Sequence, residues 1–283
     1  MTDGDDEVFR RLARLDARLD ELGTIMVAFS GGADSAFLLT AAVRRLGAGS
    51  VIAATAVSPS LPATELAAAR VFAAEQGVRH LTPNTFELDR AGYRANGARR
   101  CFHCKTELVT TLRPLAEAAA ATIATGTNAD DARAGFRPGI AAARDGGAVT
   151  PLLDAGLTKS QIRSTSRSWG LSTWNKPAAA CLSSRIAYGI PVTLRGLGRV
   201  ERVEAALREV FRRHGIGVTN LRVRDLGGET ARVEVDAEHV ITVTANADAR
   251  AAVLREFEAV DVDPRGFRSG SMNEALPASA RDL

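Results

Sequence analysis

Residues 25–35 read Ile-Met-Val-Ala-Phe-Ser-Gly-Gly-Ala-Asp-Ser. Ile25–Phe29 is a short apolar run, Ser30-Gly31-Gly32 a tight loop, and Asp34-Ser35 open an amphipathic run reaching about Leu46. The pattern is strand, glycine loop, helix. Two adjacent glycines permit positive φ and let the backbone approach a ligand with no Cβ in the way. The loop N–H groups and the unpaired N–H groups of the first helical turn converge on one spot, which the helix dipole makes attractive to an anion. Ser30 and Ser35 add hydroxyl donors. The stretch is a cradle for phosphate or pyrophosphate. It lacks G-x-x-x-x-G-K-[ST], which excludes the kinase and GTPase type of loop, and it lacks G-x-G-x-x-G.

The hexad SGGADS resembles the S-G-G-x-D-S loop of the ATP pyrophosphatase (PP-loop) superfamily, whose members split ATP into AMP and pyrophosphate to adenylate a substrate. The 283 residues suffice for one large or two smaller domains. A composition 46% apolar and 24% charged is that of a soluble globular protein. The net charge of +3 suits an anionic ligand, but the basic residues are spread out and do not argue for nucleic acid. No run of 18 apolar residues is present, and the acidic start MTDGDDEVFRR does not read as a signal peptide. Three cysteines, Cys101, Cys104 and Cys181, suit a reducing compartment, so a cytoplasmic location is expected.

Glu7–Leu22 carries a helical apolar stripe, Val51–Val57 reads as a buried strand, Pro62–Gln76 as a helix closed by Gly77, and Val78–Leu81 as a short strand. The alternation predicts a mainly parallel α/β sheet with right-handed crossovers and helices on both faces. Cys101-Phe102-His103-Cys104 admits half a zinc site, a redox pair or a structural feature, and no second ligand pair follows. Lys105 and Arg100 beside it would serve an anionic ligand or remain solvated charges. Thr122–Thr125 is the next strand, followed by Gly126-Thr127-Asn128-Ala129-Asp130-Asp131. Ligands of an open parallel sheet sit outside the carboxyl ends of its strands, so SGGADS and GTNADD can face one pocket. Asp130 and Asp131 can hold Mg²⁺ through oxygen or water, and Arg137 in the loop 133–139 can clamp a phosphate bidentately. Thr158 with Gln161 forms a capping box that starts a helix.

Then comes Asn175-Lys176-Pro177-Ala178-Ala179-Ala180-Cys181-Leu182-Ser183-Ser184-Arg185. Small neighbours leave Cys181 accessible, and Arg185 and Lys176 favour the thiolate. On composition alone a small core hydrophobe is an equal reading. Beyond Tyr188 the chain changes character. Val200–His214 reads as a helix ending at Gly215, Leu221–Arg224 and Ala231–Val235 as paired strands joined through Gly227-Gly228, and Asp248–Glu258 as a helix. The expected domains are 1–185 and a small α+β domain over 190–283.

Taken in order, SGGADS, RCFHCK, GTNADDARAGFRPG, GLTKSQIR, NKPAAACLSSRIAYG and GFRSGSMN resemble the LarE-type ATP-dependent sacrificial sulfur transferases. The resemblance implies a PP-loop domain of the adenine nucleotide α-hydrolase-like type followed by a smaller domain. It implies ATP on Ser30, Gly31, Gly32, Asp34, Ser35, Gly126, Thr127, Asn128 and Asp130, with Mg²⁺ at Asp34 and Asp130. It further implies pyridinium-3,5-biscarboxylic acid mononucleotide as substrate, near Lys105, Arg137, Glu204, Arg222 and Glu234, with catalytic roles at Cys181, Ser184 and Arg185. The sulfur is then that of Cys181, dehydroalanine remains, and the product enters nickel-pincer nucleotide biosynthesis. A three-cysteine variant of the family binds an iron–sulfur cluster. Here Leu182-Ser183-Ser184 follow Cys181, so the sacrificial form without a cluster is expected, in a homo-oligomer. The bland readings of Arg222 and Glu234 as solvent-face strand residues, and of Glu204 as a helix-surface charge, stand beside these. Competing functions are another PP-loop adenylating enzyme (a tRNA thiolase or an ammonia-using ligase) and a nucleotide-binding regulator without turnover.

Overall fold

The computed structural model describes residues 3–133, 138–177, 180–268 and 270–275. The elements run α1 (Asp3–Leu22), β1 (Ile25–Ala28), α2 (Ala33–Leu46), β2 (Val51–Ala54), α3 (Ala63–Glu75), β3 (Arg79–Leu81), α4 (Ala91–Arg94), α5 (Arg100–Ala118), β4 (Thr122–Ala124), α6 (Ala129–Arg133), α7 (Pro138–Asp145), α8 (Pro151–Asp154), α9 (Lys159–Ser168), α10 (Leu194–Arg213), β5 (Leu221–Asp225), β6 (Thr230–Val235), α11 (Val240–Ala245), α12 (Ala247–Leu254) and β7 (Ala259–Val262). They group into two compact units, one of Met1–Glu87 with Cys101–Ala179, the other of Leu88–Arg100 with Ala180–Leu283. The division differs from the expected 1–185 and 190–283. It falls before Cys181, and the segment 88–100 joins the second unit although it precedes half of the first in sequence.

In the first unit four parallel strands are ordered β3-β2-β1-β4. Alternate residues of these short strands feed two cores, as a strand covered on both faces requires. Ile25 and Val27 pack with Leu15 and Leu19 of α1, Phe37 and Leu38 of α2, Phe72 of α3 and Ile162 of α9. Met26, Ile52 and Ile123 pack with Val109 and Leu112 of α5 and Ala143 of α7. Each fully buried side chain of this size contributes roughly 1.5–3 kcal/mol. The chain leaves β1 toward β2 and β3 and returns on the other side as β4, so β1 and β4 flank the topological switch point where open α/β sheets bind ligands. Both bonds of the capping box at the start of α9 are present, Gln161 N–H to Thr158 Oγ1 and Thr158 N–H to Gln161 Oε1.

The second unit has a three-stranded mixed sheet, β5-β6 antiparallel and β6-β7 parallel. Leu197, Val200, Val203, Leu207 and Phe211 of α10 are buried, as are Leu221 and Val223 of β5 and Val233 and Val235 of β6. Helix α10 begins six residues before the sequence reading placed it, because Thr193 caps it through Gly196 N–H at 3.0 Å. Gly227 and Gly228, which link β5 to β6, both have positive φ (77° and 53°). The parallel β7 was not expected; its sequence Ala-Val-Asp-Val is too short for a clear period. Among the described residues no helix is long and apolar enough to cross a membrane.

Candidate active site

The first unit places two loops side by side. After β1, Gly31 adopts φ 70° and Gly32 is the N-cap of α2, with no side chain capping that helix. The first-turn N–H groups are thus left for a ligand. The Ser30 and Ser35 hydroxyls lie 3.2 Å apart, Ser35 Oγ donates to Gly32 O at 3.1 Å, and Gly32 N–H makes only a long 3.4 Å contact to Ser30 Oγ. After β4, Gly126 lies directly against this turn. A Cβ there would stand 2.8 Å from Ser35 N and 3.0 Å from the Asp34 carbonyl carbon, so only glycine lets the two loops close. Thr127 meets Thr125 through a 3.1 Å hydroxyl contact. Asn128, fully buried, accepts from the N–H groups of Asp130 (3.0 Å) and Asp131 (3.1 Å) and so starts α6.

The charges around these loops are organised. Asp130 Oδ2 accepts the Lys159 N–H at 2.7 Å, and Asp131 Oδ1 pairs with Lys159 Nζ at 2.8 Å. Burial, reinforced by the charge of Asp131, holds the Asp34 carboxyl above the usual range, against the pull of Lys159, Arg163 and Asn128. Of the two expected metal ligands, Asp130 is engaged at the start of α9, and it is Asp131 whose charge reaches Asp34. Among the described residues no group of three or more His, Cys, Asp or Glu stands ready to hold a metal by itself. Lys176, expected to favour a thiolate, instead binds Glu65 (2.6 Å) and the Gly31 carbonyl (3.0 Å). Lys105 is half-buried on α5, and a Cβ at Gly139 would stand 3.0 Å from its Cγ. Arg137 lies outside the described residues. Cys101 is exposed, Cys104 and Cys181 are half-buried, and all three are thiols.

The second unit builds the surroundings of Cys181. This residue is the N-cap of a 3₁₀ turn, Leu182–Arg185. Its carbonyl accepts from Ser184 N–H (3.0 Å), Ser184 Oγ (2.7 Å) and Arg185 Nη1 (3.1 Å). Arg185, 4% exposed, also donates to Ala180 O and is held by Glu204 through bonds of 2.9 and 3.2 Å. Glu204 also accepts the Val223 N–H at 3.0 Å and so ties α10 to β5. The view of Glu204 as a helix-surface charge is therefore corrected: it is buried and fully used.

Arg222 and Glu234 are likewise buried, not solvent-facing. They are register partners, but Glu234 pairs diagonally with Arg224 at 2.6 Å, while Ser271 Oγ donates to Glu234 Oε1 at 3.0 Å. Arg224 also donates to the Ser184 carbonyl at 3.1 Å. Burial, with the charges of Arg185 and Arg224 adding to it, lowers the Arg222 guanidinium to about 10, and its charged end lies 5.1 Å from the Phe267 ring. Arg185, Arg222 and Arg224 are thus buried together with Glu204 and Glu234, and Asp225 at the end of β5 is buried as well.

No family model matches the chain. It is 37% identical over 271 residues to an uncharacterised protein of Synechocystis sp., covering 94% of this chain and 98% of that one. It is 30% identical over 267 residues to the pyridinium-3,5-bisthiocarboxylic acid mononucleotide synthase of Lactiplantibacillus plantarum, covering 93% and 94%. The chain belongs to the LarE-type family.

In this LarE-type chain several residues of the candidate site escaped the sequence reading. Tyr93 and Asn96 come from the segment 88–100: Tyr93 Oη meets Ser183 Oγ, and Asn96 Nδ2 donates to the carbonyls of Ala187 and Ile190, both at 2.8 Å. Arg100, considered for an anion, donates to the Ser183 carbonyl at 2.8 Å. Nothing in their local sequence announces that they brace a loop about 90 residues later. Arg224 was more visible, since it shares the Leu-Arg-Val-Arg alternation with Arg222, and Ser271 lies in the quoted GFRSGSMN.

Proposed function

We propose that this LarE-type chain is a sulfur transferase that uses ATP to adenylate a carboxylate of pyridinium-3,5-biscarboxylic acid mononucleotide and passes to it the sulfur of Cys181. The name of the Lactiplantibacillus relative states the product class, a bisthiocarboxylic acid mononucleotide. The observation that carries the reading is the closure of SGGADS against GTNADD at the switch point, where Gly126 admits no side chain. This supports reading the first unit as a PP-loop nucleotide fold.

In this reading the polyphosphate lies on Ser30–Ser35, with the open N–H groups of α2 and the two serine hydroxyls as donors. Asp34 and Asp130, with Asp131 beside them, would hold Mg²⁺, and the mutual repulsion of Asp34 and Asp131 fits a cation there. Mg²⁺ would neutralise phosphate charge. A carboxylate resists nucleophiles because it is anionic; attack on the α-phosphorus expels pyrophosphate and gives an acyl adenylate. The Cys181 thiolate then displaces AMP and forms a thioester. Loss of the Cys181 Cα proton and cleavage of Cβ–S release the thiocarboxylate and leave dehydroalanine. The buried guanidiniums of Arg222 and Arg224 suit the anionic nucleotide.

Intact-protein mass spectrometry tests this directly. After incubation with ATP, Mg²⁺ and the pyridinium dicarboxylate nucleotide, the chain is expected to lose the elements of H₂S, with dehydroalanine mapped to position 181. Thiocarboxylate formed should never exceed the chain in moles. ATP cleavage with unchanged protein mass would refute Cys181 as the sulfur source and leave another adenylation.

A further inference from the structure

We propose that Ser184 and Arg185 form an oxyanion hole around the carbonyl oxygen of Cys181 itself, acting in the step that breaks the Cys181 Cβ–S bond. The proposal rests on the sulfur-transfer reading above and assigns a role within it. Three donors converge on that one oxygen: Ser184 N–H at 3.0 Å, Ser184 Oγ at 2.7 Å and Arg185 Nη1 at 3.1 Å. These lie in the range over which preorganised donors stabilise a developing oxyanion. Closure of the 3₁₀ turn explains the Ser184 N–H bond, and a serine hydroxyl reaching back three residues is a bond that Ser35, Ser164 and Ser168 make as well. Neither calls for a buried guanidinium on the same acceptor. The guanidinium is also fixed, because Glu204 holds Arg185 by two bonds and is itself held by Val223 N–H.

The chemistry needs such a hole at one stage only. Adenylation and thiolate attack place no charge on the Cys181 carbonyl. Elimination does. Removing the Cα proton leaves an electron pair on Cα, which delocalises onto the Cys181 carbonyl oxygen as an enolate. The three donors then face an anion in place of a neutral carbonyl, and the low dielectric around Arg185 strengthens the interaction. The pair next forms the Cα=Cβ bond, Cβ–S breaks, and the thiocarboxylate departs with the electrons of that bond. The proton passes to a solvent base, water or hydroxide, and nothing is oxidised or reduced. The donors bind the transition state better than the ground state, which is the condition for catalysis.

Single-turnover experiments on the full-length chain with ATP, Mg²⁺ and the pyridinium dicarboxylate nucleotide separate the steps. Released pyrophosphate, thioester-bearing chain and dehydroalanine are followed in quenched samples. The Ser184→Ala variant is expected to release pyrophosphate and form the thioester at the wild-type rate. It should yield dehydroalanine about 10²-fold more slowly, the cost of one lost oxyanion donor, so that thioester accumulates. Ser184→Thr, which keeps a hydroxyl, should restore elimination, and Arg185→Lys should accumulate thioester as Ser184→Ala does. Elimination at the wild-type rate in Ser184→Ala, with or without a loss of stability, would overturn the hole and leave the sulfur-transfer reading standing. So would pyrophosphate release and elimination falling in parallel. Wild-type protein that gives neither pyrophosphate nor thioester would overturn both.

Discussion

Asp34 lies in the first turn of α2 and feels the charge of a second carboxylate, Asp131. Burial and that neighbour raise its proton affinity in the folded chain, so at neutral pH its ionised form costs stability. A carboxyl whose folded pKa is raised stabilises fully below its unfolded value of 3.8, and that contribution is lost as the pH rises through the folded value. Asp34→Asn, permanently neutral, is therefore expected to raise the thermal midpoint at pH 7 while abolishing ATP-dependent pyrophosphate release. The gain should fade as the pH falls toward 3.8, which calorimetry across a pH series would show. Lys176 makes a second residue-scale case. A planar trans peptide points its C=O and N–H in opposite directions, so the bond from Lys176 to the Gly31 carbonyl turns the Gly32 N–H away from the lysine. Lys176→Met should weaken pyrophosphate binding about 10-fold, the equivalent of one hydrogen bond. Titration calorimetry measures it, and unchanged affinity would show that the peptide holds its orientation without the ammonium.

At the scale of elements, the turn that carries Cys181 is tied by long-range polar bonds. Helix α10 supplies Glu204, β5 supplies Arg224, and the segment 88–100 supplies Tyr93, Asn96 and Arg100. Removing one member of a buried ion pair strands the other, at a cost of about 3–5 kcal/mol. Glu204→Ala should lower the denaturation midpoint accordingly, since both Arg185 and the Val223 N–H lose their acceptor. Arg185→Met with Glu204→Leu replaces the pair by apolar volume and should recover most of that stability. A double variant that remained as unstable as Glu204→Ala would show that the pair itself stabilises the fold.

Across the whole molecule, the two units carry different groups: the glycine loop and the open first turn of α2 in the one with the parallel sheet, and the cysteine turn with its buried arginines in the other. A ligand that binds only the folded form stabilises it by about 2.7 kcal/mol at 100 times its dissociation constant. Pyrophosphate should therefore protect amides of residues 29–36 and 125–131 from hydrogen exchange, with no comparable protection in β5, β6 and β7. Protection centred on β5 and β6 would move the phosphate site to the arginine cluster.

Local signals carried the sequence a long way. An apolar run, a double glycine and a helical stripe are short-range features, so SGGADS, GTNADD, the capping box at Thr158 and the α/β order could be read directly, whereas the 3₁₀ turn after Cys181 could not. What depended on tertiary structure was everything set by distance along the chain. Strand order makes β1 and β4 neighbours, and with it Gly126 becomes the residue that lets two loops meet. Burial converts Glu204, Arg222 and Glu234 from plausible surface charges into a buried lattice, and Glu234 pairs with Arg224, diagonal to its register partner Arg222, because long side chains reach across the diagonal. The sequence alone determined which groups are present and the local shapes that hold them. The fold decided which charges share a low-dielectric space, because electrostatic energy depends on separation and burial in space, and neither is written in sequence spacing.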